Sequence, residues 1–149
     1  MTMIKKLFNW ILGIHPNSIS FWETFQLTRL PIVCFKQKDR VLNFIFDSGS
    51  DHNIIDKSAL DKIECEYLNE EGSVFGINGN LDKTKVCTIH LSYKDKDYPA
   101  NFLVCDMSGA VERLKHLHGT TIHGLIGTEF FNQYKYVLDF DKLIAYSKA

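Results

Sequence analysis

Proline is scarce in this chain of 149 residues, with three, and glycine is modest, with nine. With so few breakers, the sequence can build a dense core. An excess of one charge is also missing: 17 Lys and Arg against 18 Asp and Glu leave a formal net charge of −1. Phosphate binding needs a basic excess somewhere on the surface, so nucleic acid is not expected as a partner. Neither a block of five like charges nor a fixed-period repeat occurs, which excludes charged tails and repeat arrays. The cysteines, Cys34, Cys65, Cys87 and Cys105, never fall in Cys-x-x-Cys spacing, so neither a zinc ribbon nor a thioredoxin-type site is indicated. Each sits among strand-like apolar residues, and reduced, core-filling thiols are expected over two disulfides.

What is present points to one globular domain. Apolar residues make up 45% and charged residues 23%, which excludes wholesale disorder. Eleven Phe, six Tyr and two Trp supply large core side chains. The first segment, Met3 to Ile14, opens with Lys5 and Lys6 like a signal peptide. It is interrupted by Asn9, lacks a small-x-small cleavage site and falls far short of the ~20 residues a spanning helix needs. Ile4, Leu7, Phe8, Ile11 and Leu12 instead follow helical spacing, with Lys5, Lys6 and Asn9 opposite. The reading is an N-terminal amphipathic helix and linker over 1–17, ended by His15-Pro16-Asn17-Ser18, ahead of a domain over 18–149. Two uses of the helix stay open: docking on its own domain or a sister subunit, or peripheral membrane contact through Met3–Ile14. The expected compartment is the cytoplasm, with the membrane surface as the alternative.

From Ser20 onward the pattern is that of strands. Phe21–Phe35 and Val41–Phe46 read as a hairpin across Gln37-Lys38-Asp39-Arg40, the second strand apolar enough to be buried on both faces. Ile54–Ile63 reads as a short helix with Asp56 as N-cap, and Glu64–Leu68 as a strand. Glu71–Leu81 reads as a glycine-hinged hairpin tip. Lys85–Tyr93 and Tyr98–Asp106 are strands joined by a charged turn. Ser108–His118 and Thr128–Tyr134 are helices, and Tyr136–Phe140 and Leu143–Tyr146 close the chain with strands.

Chemistry concentrates where the apolar strand runs into Asp47-Ser48-Gly49-Ser50. Asp, Ser and Gly are ordinary turn residues, and a turn cap is the plain reading of Asp47 alone. Two other segments change the balance: the hinged tip around Phe75, and Leu125-Ile126-Gly127, where a glycine allows two chain segments to pass closely. Phe44-Ile45-Phe46-Asp47-Ser48-Gly49-Ser50 resembles the active-site loop of the retropepsin-like aspartic proteases, whose pattern is apolar-apolar-Asp-Ser/Thr-Gly-Ala/Ser. Val74-Phe75-Gly76-Ile77-Asn78-Gly79 is similar to their flap, and Ile122 to Phe131 to their late apolar-apolar-Gly segment.

That resemblance implies a mainly β, mainly antiparallel single domain: a retropepsin-like half-barrel of the acid-protease fold, with short helices and an extra N-terminal amphipathic helix. It implies an aspartic endopeptidase, a hydrolase of polypeptides without metal or cofactor. Two carboxylates sharing one proton activate a water in such enzymes. One Asp-Ser-Gly in 149 residues then implies a homodimer closing the barrel, with Asp47 from each subunit on the two-fold axis. The catalytic residues carried over are Asp47, Ser48 and Gly49. Ser50, Asp51, Phe75, Gly76 and Ile77 would contact substrate, with the Ser50 hydroxyl able to donate to Asp47. Leu125 and Ile126 would support the loop. The chain departs from the retroviral pattern at Thr128, where an Arg normally braces the loop.

The rival expectation is the same fold kept as a catalytically silent peptide-binding or dimerisation module. His116, His118 and His123 lie within eight residues, but no carboxylate or Cys nearby completes a set, so solvated histidines in a connection are expected and no metal site. Asp95 and Asp97, alternating with lysines, read as a solvated turn.

Overall fold

The computed structural model describes residues 2–5, 7, 15–75 and 79–147. Most of the N-terminal segment expected as an amphipathic helix lies outside them; its described part, Met3–Lys5 and Leu7, is helical, with Met3, Ile4 and Leu7 exposed.

The chain opens with β1 (Ile19–Ser20) and a short helix, α1 (Trp22–Thr28), stopped where Arg29 turns left-handed at φ 60° and donates its N–H to Phe25 O. β2 (Ile32–Gln37) and β3 (Arg40–Phe46) form a hairpin across the expected turn, in register from Ile32↔Ile45 to Gln37↔Arg40, but the strand expected over Phe21–Phe35 is corrected: Trp22–Thr28 is the helix α1. β3 is buried on one face, not two. Leu42, Phe44 and Phe46 enter the core, whereas Val41 is exposed and Asn43 and Ile45 are half-buried. Its apolar run therefore reflects alternation interrupted by extra apolar residues on the outer face.

Next come β4 (Ile54–Asp56) and a 3-10 turn, Lys57–Lys62. The expected helix over Ile54–Ile63 is thus half strand, because Ile54–Asp56 is taken up by neighbours on both sides in the sheet. Local propensity loses there to long-range pairing. β5 (Glu66–Phe75) and β6 (Leu81–Tyr93) pair antiparallel, with an irregularity between Tyr67 and Glu71. β6 turns into β7 (Lys96–Cys105) through Lys94 and Asp95, both at positive φ (47° and 63°). That conformation suits the twist of a two-residue hairpin.

α2 (Ser108–His118) is the expected helix, ended by Gly119 at φ 65°; none of its residues is buried. β8 (Gly124–Ile126) leads into α3 (Thr128–Tyr134), followed by β9 (Tyr136–Asp139) and β10 (Ile144–Ser147).

Seven strands make one sheet in the order β2-β3-β8-β4-β7-β6-β5, and β1-β10-β9 make a second, three-stranded one. The large sheet is mixed: β8 lies between β3 and β4, parallel to the first and antiparallel to the second, and β4 runs parallel to β7. The half-barrel inferred from the resemblance is therefore corrected, while most strand pairs are antiparallel as expected. β2 returns to β6 at one register pair, Lys36↔Ser92, which is short of a barrel wall, and two parallel pairings replace part of the antiparallel ladder.

The core that holds these layers is aromatic. Phe35 meets Phe44, Phe46, Tyr93, Tyr98 and Phe130 at centroid separations of 5.9–6.5 Å, largely edge to face. Tyr98 is buried without losing its hydroxyl partner: its OH lies 2.7 Å from the Tyr136 OH, which donates to Asn17 O at 3.1 Å. Tyr98 therefore donates to Tyr136, and burial pushes its ionisation above the ordinary tyrosine value.

Candidate functional site

The strongest convergence of polar groups lies at the end of β3. Asp47 leaves the sheet with its N–H still donating to Ile126 O at 2.9 Å, so the loop starts from a fixed point on β8. Asp47 Oδ1 then accepts the Gly49 N–H at 2.9 Å and Asp47 O accepts the Ser50 N–H at 3.1 Å, a side-chain-closed turn. Asp47 and Ser50 are half-buried, while Ser48, Gly49 and Asp51 are exposed. The Ser50 hydroxyl donates to His52 O at 2.7 Å, not to Asp47 as expected.

The far side of the loop is clamped by α3. Thr128 N donates to Ser50 O (2.8 Å), Glu129 N to Asp51 O (3.1 Å), and the Thr128 hydroxyl to Asp51 O (3.3 Å). This approach requires glycine at 127, where a Cβ would sit 2.3 Å from His52 O and 2.7 Å from Ser50 O. Beneath the loop, Asn53 is fully buried. Its Oδ1 accepts the Gly127 N–H at 3.0 Å and its Nδ2 donates to Asn101 O at 3.0 Å. One side chain thereby ties β8 and β7 to the loop.

His52 carries the loop's charge relations outward. Its Nδ1 lies 3.3 Å from Glu129 Oε2 and its Nε2 3.7 Å from Asp51 Oδ2. His52 and Glu129 open onto a cleft of about 240 Å3 whose other wall is β5, at Glu70, Glu71 and Gly72, with Val86 and Leu103 as its apolar floor. Roomier cavities of about 430 and 450 Å3 lie around the end of β2, away from the Asp47 loop. Lys38–Glu64 and His90–Asp97 pairs line the first, so no single charge dominates there.

β5 and β6 continue past β7 as a two-stranded arm, Glu71–Phe75 against Leu81–Lys85. Phe75 and Leu81 face each other across its last rung, 73% and 63% exposed. The structure gathers Asp47, Ser48, Gly49, Ser50 and Asp51 into one loop. Among the described residues no hydrogen bond or ring contact joins Phe75 to it, and Gly76 and Ile77 lie outside the described residues. His52, Asn53 and Glu129 were missed in the sequence; their partners are 48 to 77 residues away, and no local pattern marks them.

The three late histidines do not converge. His116 and His118 are exposed on α2, and His123 Nδ1 accepts the Asn43 N–H at 3.0 Å. Burial holds the His123 pKa below its ordinary value. With Nδ1 accepting, the neutral ring carries its proton on Nε2. Among the described residues, no group of three His, Cys, Asp or Glu is placed to hold a metal ion.

Compared with known proteins, the chain matches no family model, and no curated protein matches it either. The resemblance to the retropepsin-like aspartic proteases is accordingly corrected. It rested on short segments in the right order, but the sheet they build is mixed and does not close into a barrel. Asp47 Oδ1 is engaged inside its own turn, and no dyad geometry is found among the described residues. Aspartic endopeptidase activity, with the associated reading as an acid-protease-fold hydrolase bearing a flap, is withdrawn on these grounds.

Proposed function

We propose that this protein is a polypeptide-binding module that works as a homodimer. The observation that carries the reading is the end of the β5–β6 arm. A two-stranded ribbon is marginal in water on its own, and this one leaves a register pair of large apolar side chains, Phe75 and Leu81, in solvent. Covering apolar surface returns roughly 25 cal/mol per Å2. An extended segment laid along the arm covers both side chains and reaches the cleft at the arm's root, where Glu70, Glu71, Glu129 and His52 offer partners to its polar groups. A second copy brings further apolar surface of the same kind, since Trp22, Leu27 and Phe140 are also more than half exposed.

The test is retention of peptides from a diverse immobilised pool, with sedimentation across a concentration series. The wild-type chain is expected to retain a subset of extended peptides and to sediment as a dimer at micromolar concentration. The double variant Phe75→Ser, Leu81→Ser is expected to lose most retention while its circular dichroism is unchanged. A wild type that retains nothing, or a double variant that retains as much as wild type, overturns the reading; a monomer at all concentrations overturns the dimer.

A further inference from the structure

We propose that Cys65 and Cys87 form a reversible disulfide that staples the root of the β5–β6 arm when the protein meets a peroxide. The inference is independent of the polypeptide-binding reading and stands on strand register. Glu66↔Thr88 and Tyr67↔Cys87 are the first rungs of the β5–β6 ladder. Residues two apart on a strand share a face, so Cys65, one residue ahead of β5, projects to the side on which Tyr67 meets Cys87. Cys65 and Cys87 are thus diagonal neighbours on one face of the β5–β6 pair, near enough for each sulfur to feel the other's charge. All four cysteines are free thiols, and Cys65 lies between Glu66, the first rung of the ladder, and Glu64, whose backbone N–H and C=O both bond the Gln37 side chain. Closing the bond needs a small approach of the two strands, to the Cβ separation of about 3.8 Å that a disulfide prefers.

The two sulfurs are unequal. Cys65 is half-buried and lines the cavity of about 430 Å3 near the end of β2, where a small oxidant can reach it. Cys87 is fully buried in the core, and burial pushes its thiol up to about 12. Cys65 is thus the sulfur that reacts first and Cys87 the one that resolves. A peroxide transfers one oxygen to Cys65, giving a sulfenic acid and one water. The Cys87 sulfur then attacks the Cys65 sulfur: the S–S bond forms, the S–O bond breaks, and the leaving hydroxide takes the Cys87 proton as a second water. Two thiols supply the two electrons that reduce one peroxide. The bond closes a loop containing the whole arm, which restricts the unfolded chain and raises stability. The other two cysteines are placed differently: Cys34 has Glu23 beside it, and Cys105 has Asp56 and Asp82.

The experiment treats the full chain with hydrogen peroxide at a small molar excess, then alkylates under denaturing conditions and reads intact mass, a non-reducing peptide map and Tm. The expected result is loss of two of the four alkylatable thiols, a mass about 2 Da lower before alkylation, and one cross-linked peptide joining 65 to 87. Tm is expected to rise, and dithiothreitol to reverse every change. Cys65→Ser should abolish the cross-link and the Tm rise, whereas Cys34→Ser should keep both. Cys65→Ser alters a half-buried side chain and should retain the fold, which its circular dichroism checks; Cys87→Ser serves only as a second control. Four thiols still alkylatable, oxidation of Cys65 to sulfinic acid without a link, or an equal cross-link in Cys65→Ser overturns the proposal.

Discussion

The Asp47–His52 loop, backed by Leu125-Ile126-Gly127, and the β5–β6 arm both bring glycine near apolar residues, yet they are built in opposite ways. The loop is held at its first residue by β8, at Ser50 and Asp51 by the start of α3, and from below by Asn53. The arm beyond Glu71↔Lys85 is held by its own ladder, by the Thr84 hydroxyl donating to Val104 O of β7 at its root, and by an exposed Glu71–Lys83 pair at 3.8 Å, a type worth little in water. Glycine means different things in the two places. At 127 it permits two backbones to touch; at 72 a Cβ would meet side chains instead, the end of Leu103 at 2.2 Å and Val86 Cγ2 at 3.2 Å. The rigid element is the one whose side chains are spent on its own backbone. The element with side chains left over is the arm, and that is where a partner has something to gain.

The largest effect is expected from breaking the rigid side of this contrast. Gly127→Ala pushes a methyl against two carbonyl oxygens that cannot retreat without moving the loop, and should cost about 3 kcal/mol of unfolding free energy in a urea titration. Asn53→Ala orphans the Gly127 N–H and the Asn101 carbonyl in a fully buried site, with an expected loss of about 2 kcal/mol by the same measurement.

A third prediction concerns pH. His123 is held neutral in the fold, below its ordinary value of 6.5, so the unfolded chain binds its proton more readily. Its contribution is complete above pH 6.5 and is lost as pH falls below it toward the folded value. Thermal melts from pH 7.5 downward should therefore fall more steeply for wild type than for His123→Gln. The smallest effect is expected at the arm. Phe75→Ser and Leu81→Ser touch solvent on the wild-type surface and should each change stability by no more than about 0.5 kcal/mol. A large destabilisation by either would make the arm end part of the fold's own support and erase the contrast.

Much of the strand layout was legible. The turn of the β2–β3 hairpin, the β6–β7 turn at Lys94-Asp95 and the α2 helix stand where turn residues and helical spacing put them, whereas the strand expected over Phe21–Phe35 is helix at Trp22–Thr28. Gly127 was legible as a close approach because an apolar pair ending in glycine leaves room for a neighbouring backbone. Ile54–Asp56 was misread because three residues carry too little pattern to separate strand from helix, and what decides them is pairing to residues 49 to 71 positions away. Asp47 was misread more instructively. Its residue types fit two uses equally, a reacting carboxylate and a turn closed by Gly49, and local order of residues cannot distinguish them.

By itself the sequence determined a chain able to bury a large aromatic core, with balanced charge, strands as its main regular structure and a turn after Phe46. These follow from composition and short-range periodicity, which act within a few residues. Only the tertiary structure decided that β8 slips between β3 and β4, that the sheet is mixed and stops short of a barrel, and that Asn53 holds the loop from beneath. Those outcomes depend on which distant strands pair and on which buried polar atoms find partners, and both are settled by the whole fold at once.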